Sequence, residues 1–191
     1  MNSLIIIAHP NKAWFSHIIA HDYMMQKKKL WHDVRMIDLY DSEWRQDYLQ
    51  MNETNRYLDD PLRSKHQEQI SRADEVCFFF PLWWFDCPAI LKNWFDVNYT
   101  QWFAFKYRSG NPIPEKLLKG KSARIFVTAW GPAWLYKTIG YLIITLPRYL
   151  GKIDYVGMKL RSWTWFADMN AYKTSESRER MREKVRKIAR R

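Results

Sequence analysis

With 191 residues, 47% of them hydrophobic and 11 of them Trp, the chain is long enough to bury a substantial core as one domain. No run approaches the roughly 18 apolar residues of a membrane span, and the opening MNSLIIIAHP lacks the basic region and cleavage site of a signal peptide. Cys77 and Cys87 lack metal-type spacing, so a reducing, cytoplasmic setting fits best.

The net charge of +11 is uneven: residues 173–191 hold nine Lys/Arg against three Glu. That run reads as the solvated face of a terminal helix, or as a docking element for an acidic partner or an anionic membrane surface. Its cations are not interleaved with aromatics, so nucleic acid is not indicated.

In chain order, Leu4–Ala8 is a β-branched run that reads as a buried strand leading into His9-Pro10. A helix over Phe15–Lys29 and a strand over Val34–Leu39 come next. Residues 41–63 are polar and weakly periodic, a long surface excursion. A helix over Leu62–Arg72 leads to a strand at Glu75–Phe80, then to a turn holding Trp83, Trp84 and Phe85. Pro88 suits the first turn of the next helix, where its missing N–H costs nothing. Residues 102–120, broken by Gly110, Pro112, Pro114 and Gly120, read as a loop. A strand at Ala123–Thr128, a helix over Tyr136–Leu150, a strand near Ile153–Leu160 and the basic helix complete the chain. This alternation predicts an α/β, doubly wound sheet of about five parallel strands with helices on both faces, a single domain over 1–191.

The six glycines form neither GxGxxG nor GxxxxGK[ST], so the dinucleotide fingerprint and the Walker loop are both absent. The loop AHPNKAWFSHII runs from a buried strand into a helix N-terminus, a setting that favours anions, with His9, Lys12, Ser16 and His17 as further donors. Ser16 reads equally well as a plain N-cap. His17 and His21 stand four apart without a third ligand, so no metal site is supported. Cys87, in an apolar setting, reads as an inert buried thiol. PLWWF ends the third strand and TAWGPAWLY the fourth. Three strand-end loops opening at one edge, two of them aromatic, suit a flat heteroaromatic ring with a phosphorylated tail. The same tryptophans could equally cap the core.

The segments AHPNKAWFS (8–16), DLY (38–40), PLWWFDCPAILKNWFDVNYTQWFAF (81–105) and TAWGPAWLY (128–136) together resemble the NAD(P)H:quinone oxidoreductases of flavodoxin-like fold. That family includes the ancillary reductases of bacterial potassium-efflux systems. The resemblance implies a homodimer with non-covalent FMN, or FAD, at the sheet edge, NAD(P)H as electron donor and a quinone or similar small molecule as acceptor. It implies that His9, Phe15 and Ser16 hold the flavin phosphate and ribityl region, that Pro81, Leu82, Trp83, Trp84 and Phe85 contact the ring system, and that Thr128, Gly131 and Tyr136 line its far side. Phe105 and Tyr107 match positions that roof the partner subunit's site. With Tyr136 they are the residues expected nearest the chemistry.

Four departures from the family pattern bear on this. Trp14 stands where Ser is usual, Ser16 where Asn is usual, Ala129-Trp130-Gly131 replaces Thr-Gly-Gly, and Leu142 replaces a His of the mammalian-type enzymes. The expectation is a cytoplasmic, or peripherally membrane-associated, flavoenzyme. The alternative is a flavin-poor or inactive regulator of the same fold that docks on a membrane transporter through residues 173–191. A plain binding module for another planar ligand is a third reading.

Overall fold

In the computed structural model, residues 1–54, 57–138, 150–169 and 174–191 are described. Five parallel strands form the main sheet: β1 (Asn2–Ile7), β2 (Asp33–Asp38), β3 (Glu75–Pro81), β6 (Ser122–Thr128) and β7 (Lys159–Phe166), in the order β2-β1-β3-β6-β7. Such a sheet is buried on both faces, so its central strands read as unbroken apolar runs. All seven residues of β3 and of β6 are buried.

Alternation along the strands then sorts the core into two halves. Leu4, Ile6, Phe78 and Phe80 face α2 (Arg63–Arg72) and α3 (Ala89–Asn98), while Ile5, Ile7, Cys77 and Phe79 face α1 (Phe15–Lys29) and α5 (Ser175–Ala189). Thr174 caps α5 by accepting the Ser177 N–H at 3.2 Å. α1 has the expected bounds, residue for residue.

Three expectations are corrected. Residues 102–120 are not a plain loop: β4 (Phe105–Arg108) and β5 (Asn111–Lys116) pair antiparallel around Gly110, whose φ of 76° suits glycine. Pro112 and Pro114 are tolerated because this two-stranded ribbon has open edges on both sides. The last strand starts at Lys159 rather than Ile153, and Ile153 lies instead in a π-helical turn, Leu150–Asp154, buried with Val156 and Met158 against the sheet. The apolar run is thus the crossover, and the alternating RSWTWF is the strand. Ser16 does not cap α1: the N-cap is Trp14, with no side-chain cap bond, and Ser16 is fully buried. Of the helix expected over Tyr136–Leu150, only α4 (Ala133–Lys137) falls among the described residues, and Leu142 lies outside them.

Candidate functional site

Strand order reverses between β1 and β3, the point where open α/β sheets bind ligands at the carboxyl ends of their strands. Three loops meet there. After β1, the Ala8 N–H donates to the Phe79 carbonyl at 3.0 Å and holds the loop against β3. His9 is buried, its Nδ1 accepts the Asn11 N–H at 3.1 Å, and its ring stacks on Trp14 at 5.4 Å and 6°. Burial pushes the His9 pKa below the usual histidine value, the nearby His17 adds to this, and the Asn11 carbonyl and Asp38 only partly oppose it. The lowered pKa favours the uncharged form of the ring. His17 donates from Nε2 to the His9 carbonyl at 3.0 Å, 3.9 Å from the Asp38 carboxylate.

α1 opens directly beneath this loop. No side chain caps it, and the amides of Phe15 and Ser16 meet no acceptor among the described residues. Uncapped amides with the helix dipole behind them attract an anion. The Ser16 hydroxyl lies 3.3 Å from that of Thr128, which ties the start of α1 to the end of β6.

After β3, the Leu82 N–H donates to the Thr128 carbonyl at 2.8 Å. Trp83 and Asp86 exchange backbone hydrogen bonds at 2.9 Å across a two-residue turn in which Trp84 has φ 50° and Phe85 φ 59°. Both central residues of such a turn have positive φ, a geometry normally given to Gly or Asn. Here it carries two large aromatic residues, and Trp84 is 97% exposed.

After β6, the chain is pinned from β7. Ala129 donates to the Phe166 carbonyl at 2.9 Å, Asp168 donates to the Gly131 carbonyl at 2.9 Å, and the Asp168 carboxylate accepts the Ala133 N–H at 3.2 Å. The Gly131 N–H donates to the Tyr136 hydroxyl at 3.2 Å, and Tyr136 stacks on Trp165 at 4.9 Å. A Cβ on Gly131 would come 2.5 Å from that hydroxyl, so any larger residue here would displace the Tyr136 side chain. Trp14 also packs against Trp130 at 5.8 Å and His9 against Trp83 at 6.0 Å, which joins the three loops into one aromatic cluster.

His9, Phe15, Ser16, Pro81 to Phe85, Thr128, Gly131 and Tyr136 are thereby gathered at one edge. Phe105 and Tyr107 are not: they sit on the hairpin and pack with Tyr155, whose hydroxyl is 2.9 Å from that of Tyr107. Phe105 lines a groove of about 520 Å³ between α3 and the π-helical turn, together with Phe95, Tyr99, Lys152 and Tyr155. Sequence reading missed Trp165 and Asp168, because β7 was expected too early in the chain to carry them here. Nor did it reveal that Trp14 lies flat on His9. Among the described residues no three His, Cys, Asp or Glu side chains gather in a way that could hold a metal.

The three loops thus offer amides without acceptors among the described residues, flat apolar rings and an imidazole whose pKa is lowered, a set suited to an anionic tail and a planar ring. The comparisons with known proteins agree with the fold. A model of the flavodoxin-like fold matches residues 1–189, and the chain belongs to that family. Its relatives carry redox names. It is 32% identical over 145 residues to an uncharacterized NAD(P)H oxidoreductase of Haemophilus influenzae, covering 73% of this chain and 70% of that one. A ribosyldihydronicotinamide dehydrogenase-like protein of Penicillium crustosum is 32% identical over 69% of this chain, which spans only 58% of that protein's length. The ribosyldihydronicotinamide dehydrogenase [quinone] of Pongo abelii is 38% identical over 102 residues, 49% of this chain and 42% of that one. A crystal structure from Streptococcus mutans superposes with a TM-score of 0.78 at 26% identity, covering 100% of this chain and 99% of that one.

Proposed function

We propose that this chain is a flavin-dependent NAD(P)H oxidoreductase that passes two electrons from a reduced nicotinamide to a quinone or similar acceptor, with FMN favoured over FAD. The observation that carries the reading is the uncapped α1 N-terminus beside the strand-order switch, joined to the end of β6 through Ser16–Thr128 and Trp14–Trp130. When bound, the flavin supplies the hydride chemistry. The chain's own residues do the rest. The amides of Phe15 and Ser16 hold the phosphate, and neutral His9 adds a partner without a competing charge. Pro81 to Phe85 and Thr128 seat one side of the ring, and Gly131 admits it against backbone at the other. Tyr136 props the Gly131 turn through its hydroxyl and so acts on position. Trp14 and Trp130 cover the loops and exclude water.

Dimerisation would bring Phe105 and Tyr107 over the partner's cleft, since within one chain they lie on the separate hairpin. The names of the relatives leave two donors in play, NAD(P)H and ribosyldihydronicotinamide. The test is direct: titrate the purified protein with FMN and with FAD by flavin fluorescence, then monitor oxidation of each donor with a quinone present. Saturable flavin binding and quinone-dependent oxidation are expected. Failure to take up either flavin overturns the reading.

One observation favours a second reading. Trp14 rests on His9 and Trp130, so a bulky indole stands at the N-cap of α1, where a small residue would leave more room. A chain that stayed flavin-free for this reason would be a regulator of the same fold, and the same titration separates the two.

A further inference from the structure

The amino ends of the five parallel strands lie at the pole opposite the cleft, and α1 and α5 both finish there. Asp22 of α1 binds Arg182 of α5 at 2.6 Å and lies 3.7 Å from Arg186, so the two helices pack side by side. Past these contacts α1 ends in Lys28-Lys29-Leu30-Trp31, and α5 in Arg190-Arg191. Lys28, Lys29, Lys187 and Arg191 are exposed and form no ion pair among the described residues, while Arg190 has Glu183 at 3.3 Å. Cations at helix C-termini are ordinary, because they meet the negative end of the dipole.

Trp31 is not ordinary. Its N–H donates to the Lys28 carbonyl at 3.0 Å and its φ is 60°, so it holds the left-handed position just past a helix that glycine usually fills. An L side chain adopts that conformation at a cost. The indole regains nothing from the core, being 95% exposed, with Leu30 beside it 41% exposed.

We infer that this pole is a docking surface for an anionic lipid bilayer, with Trp31 as the interfacial anchor and the surrounding Lys and Arg side chains on the headgroups. Charge complementarity favours an anionic partner. A single indole standing clear of the protein needs no matching pocket in a bilayer, where Trp settles at headgroup depth. In this pose the strand-end cleft faces the water.

The test is flotation of the full chain with phosphatidylcholine vesicles, with and without about 30% phosphatidylglycerol. The wild type is expected to float with the anionic vesicles alone and to be released at ~0.5 M salt. Trp31→Gly should cut partitioning about tenfold while raising Tm by about 1–2 °C, since glycine suits the backbone. Lys28→Gln and Lys29→Gln should each cost about fivefold. A wild type that ignores anionic vesicles overturns the inference. So does a Trp31→Gly variant that partitions unchanged or melts lower, because Trp31 is then either idle or structural. Binding that needs the lysines but not Trp31 points to a soluble polyanion instead and also overturns lipid docking.

Discussion

At the amino end of the sheet Glu75 is 2% exposed, and both of its oxygens are engaged: Tyr23 donates to it at 2.6 Å, Arg124 at 2.7 Å, and Lys27 lies 3.4 Å away. At the carboxyl end, two amides of α1 meet no acceptor among the described residues, and Trp84 projects into solvent in a left-handed turn. Buried polar groups are normally satisfied, and strain persists where the surroundings enforce it. The Glu75 network obeys the first rule, which is what holding a fold together requires, although the Ser3 hydroxyl beside it is buried without a partner among the described residues. The carboxyl end leaves donors open, as a ligand site does.

The largest effect should come from breaking the closed end. Glu75→Leu leaves Lys27 and Arg124 buried without their counter-ion, and loss of one partner of a buried pair costs about 3–5 kcal/mol. A denaturant midpoint measured at constant slope checks this. The network also carries a pH signature. Burial alone would push the Glu75 pKa up, but hydrogen bonds from Tyr23 and Arg124 and the charges of Lys27 and Arg124 outweigh it and hold the group below its ordinary value. A carboxylate lowered in the fold contributes stability above its unfolded pKa, and that stability drains away as pH falls through the folded one. Wild-type Tm should therefore drop below about pH 4.5, and Glu75→Gln should lack this part of the drop. Parallel curves for the two proteins would show that Glu75 is not the acid-sensitive group.

Gly131→Ala tests the open end next. The new Cβ meets the Tyr136 hydroxyl, so Tyr136 must move, and overpacking of this kind costs about 1–3 kcal/mol. Flavin affinity should fall at the same time, by tenfold or more on the scale of such a shift. Adding Tyr136→Phe removes the clashing oxygen and should recover part of the stability, a coupling a double-mutant cycle measures directly. Additive losses would mean the close approach does not govern this turn. Trp14→Ser is expected to be smaller and opposite in its two readouts. It forfeits an aromatic stack worth about 1 kcal/mol yet removes a bulky ring at the N-cap and adds a hydroxyl beside the open α1 amides, so flavin should bind more tightly. Weaker flavin binding in this variant would mean that Trp14 forms part of the seat.

The closed end was the less legible in the sequence, although its residues are ordinary. Nothing in the spacing of Tyr23, Lys27, Glu75 and Arg124 announces that they meet, because three separate elements must first be stacked. The open end was read more fully. Buried runs such as LIIIA and VCFFF end abruptly, and the loop leaving the carboxyl end of a parallel strand must lie at the ligand edge. That logic failed at β7, where the apolar Ile153–Met158 segment outcompeted RSWTWF as a strand. Asp168 and Trp165, which brace the Gly131 turn, went unseen with it. The β4–β5 hairpin was lost to its prolines, which mark loops in general but cost little on an open edge.

The smallest effect bears most directly on the contrast between the two ends. Trp84→Gly replaces a residue that is 97% exposed at φ 50° with one that takes that conformation freely. The relief of roughly 1–2 kcal/mol is offset in part by the greater entropy of glycine in the unfolded chain, about 0.4–1 kcal/mol, which leaves a net gain of about 0.8 kcal/mol. If Trp84 belongs to a working site, the variant should be slightly more stable and also poorer in quinone-dependent NAD(P)H oxidation. A chevron and a steady-state rate on the same preparation read both quantities. A gain in stability with no loss of rate would make the strained turn an idle feature, and the distinction between the two ends would then rest on the α1 amides and the Gly131 turn alone.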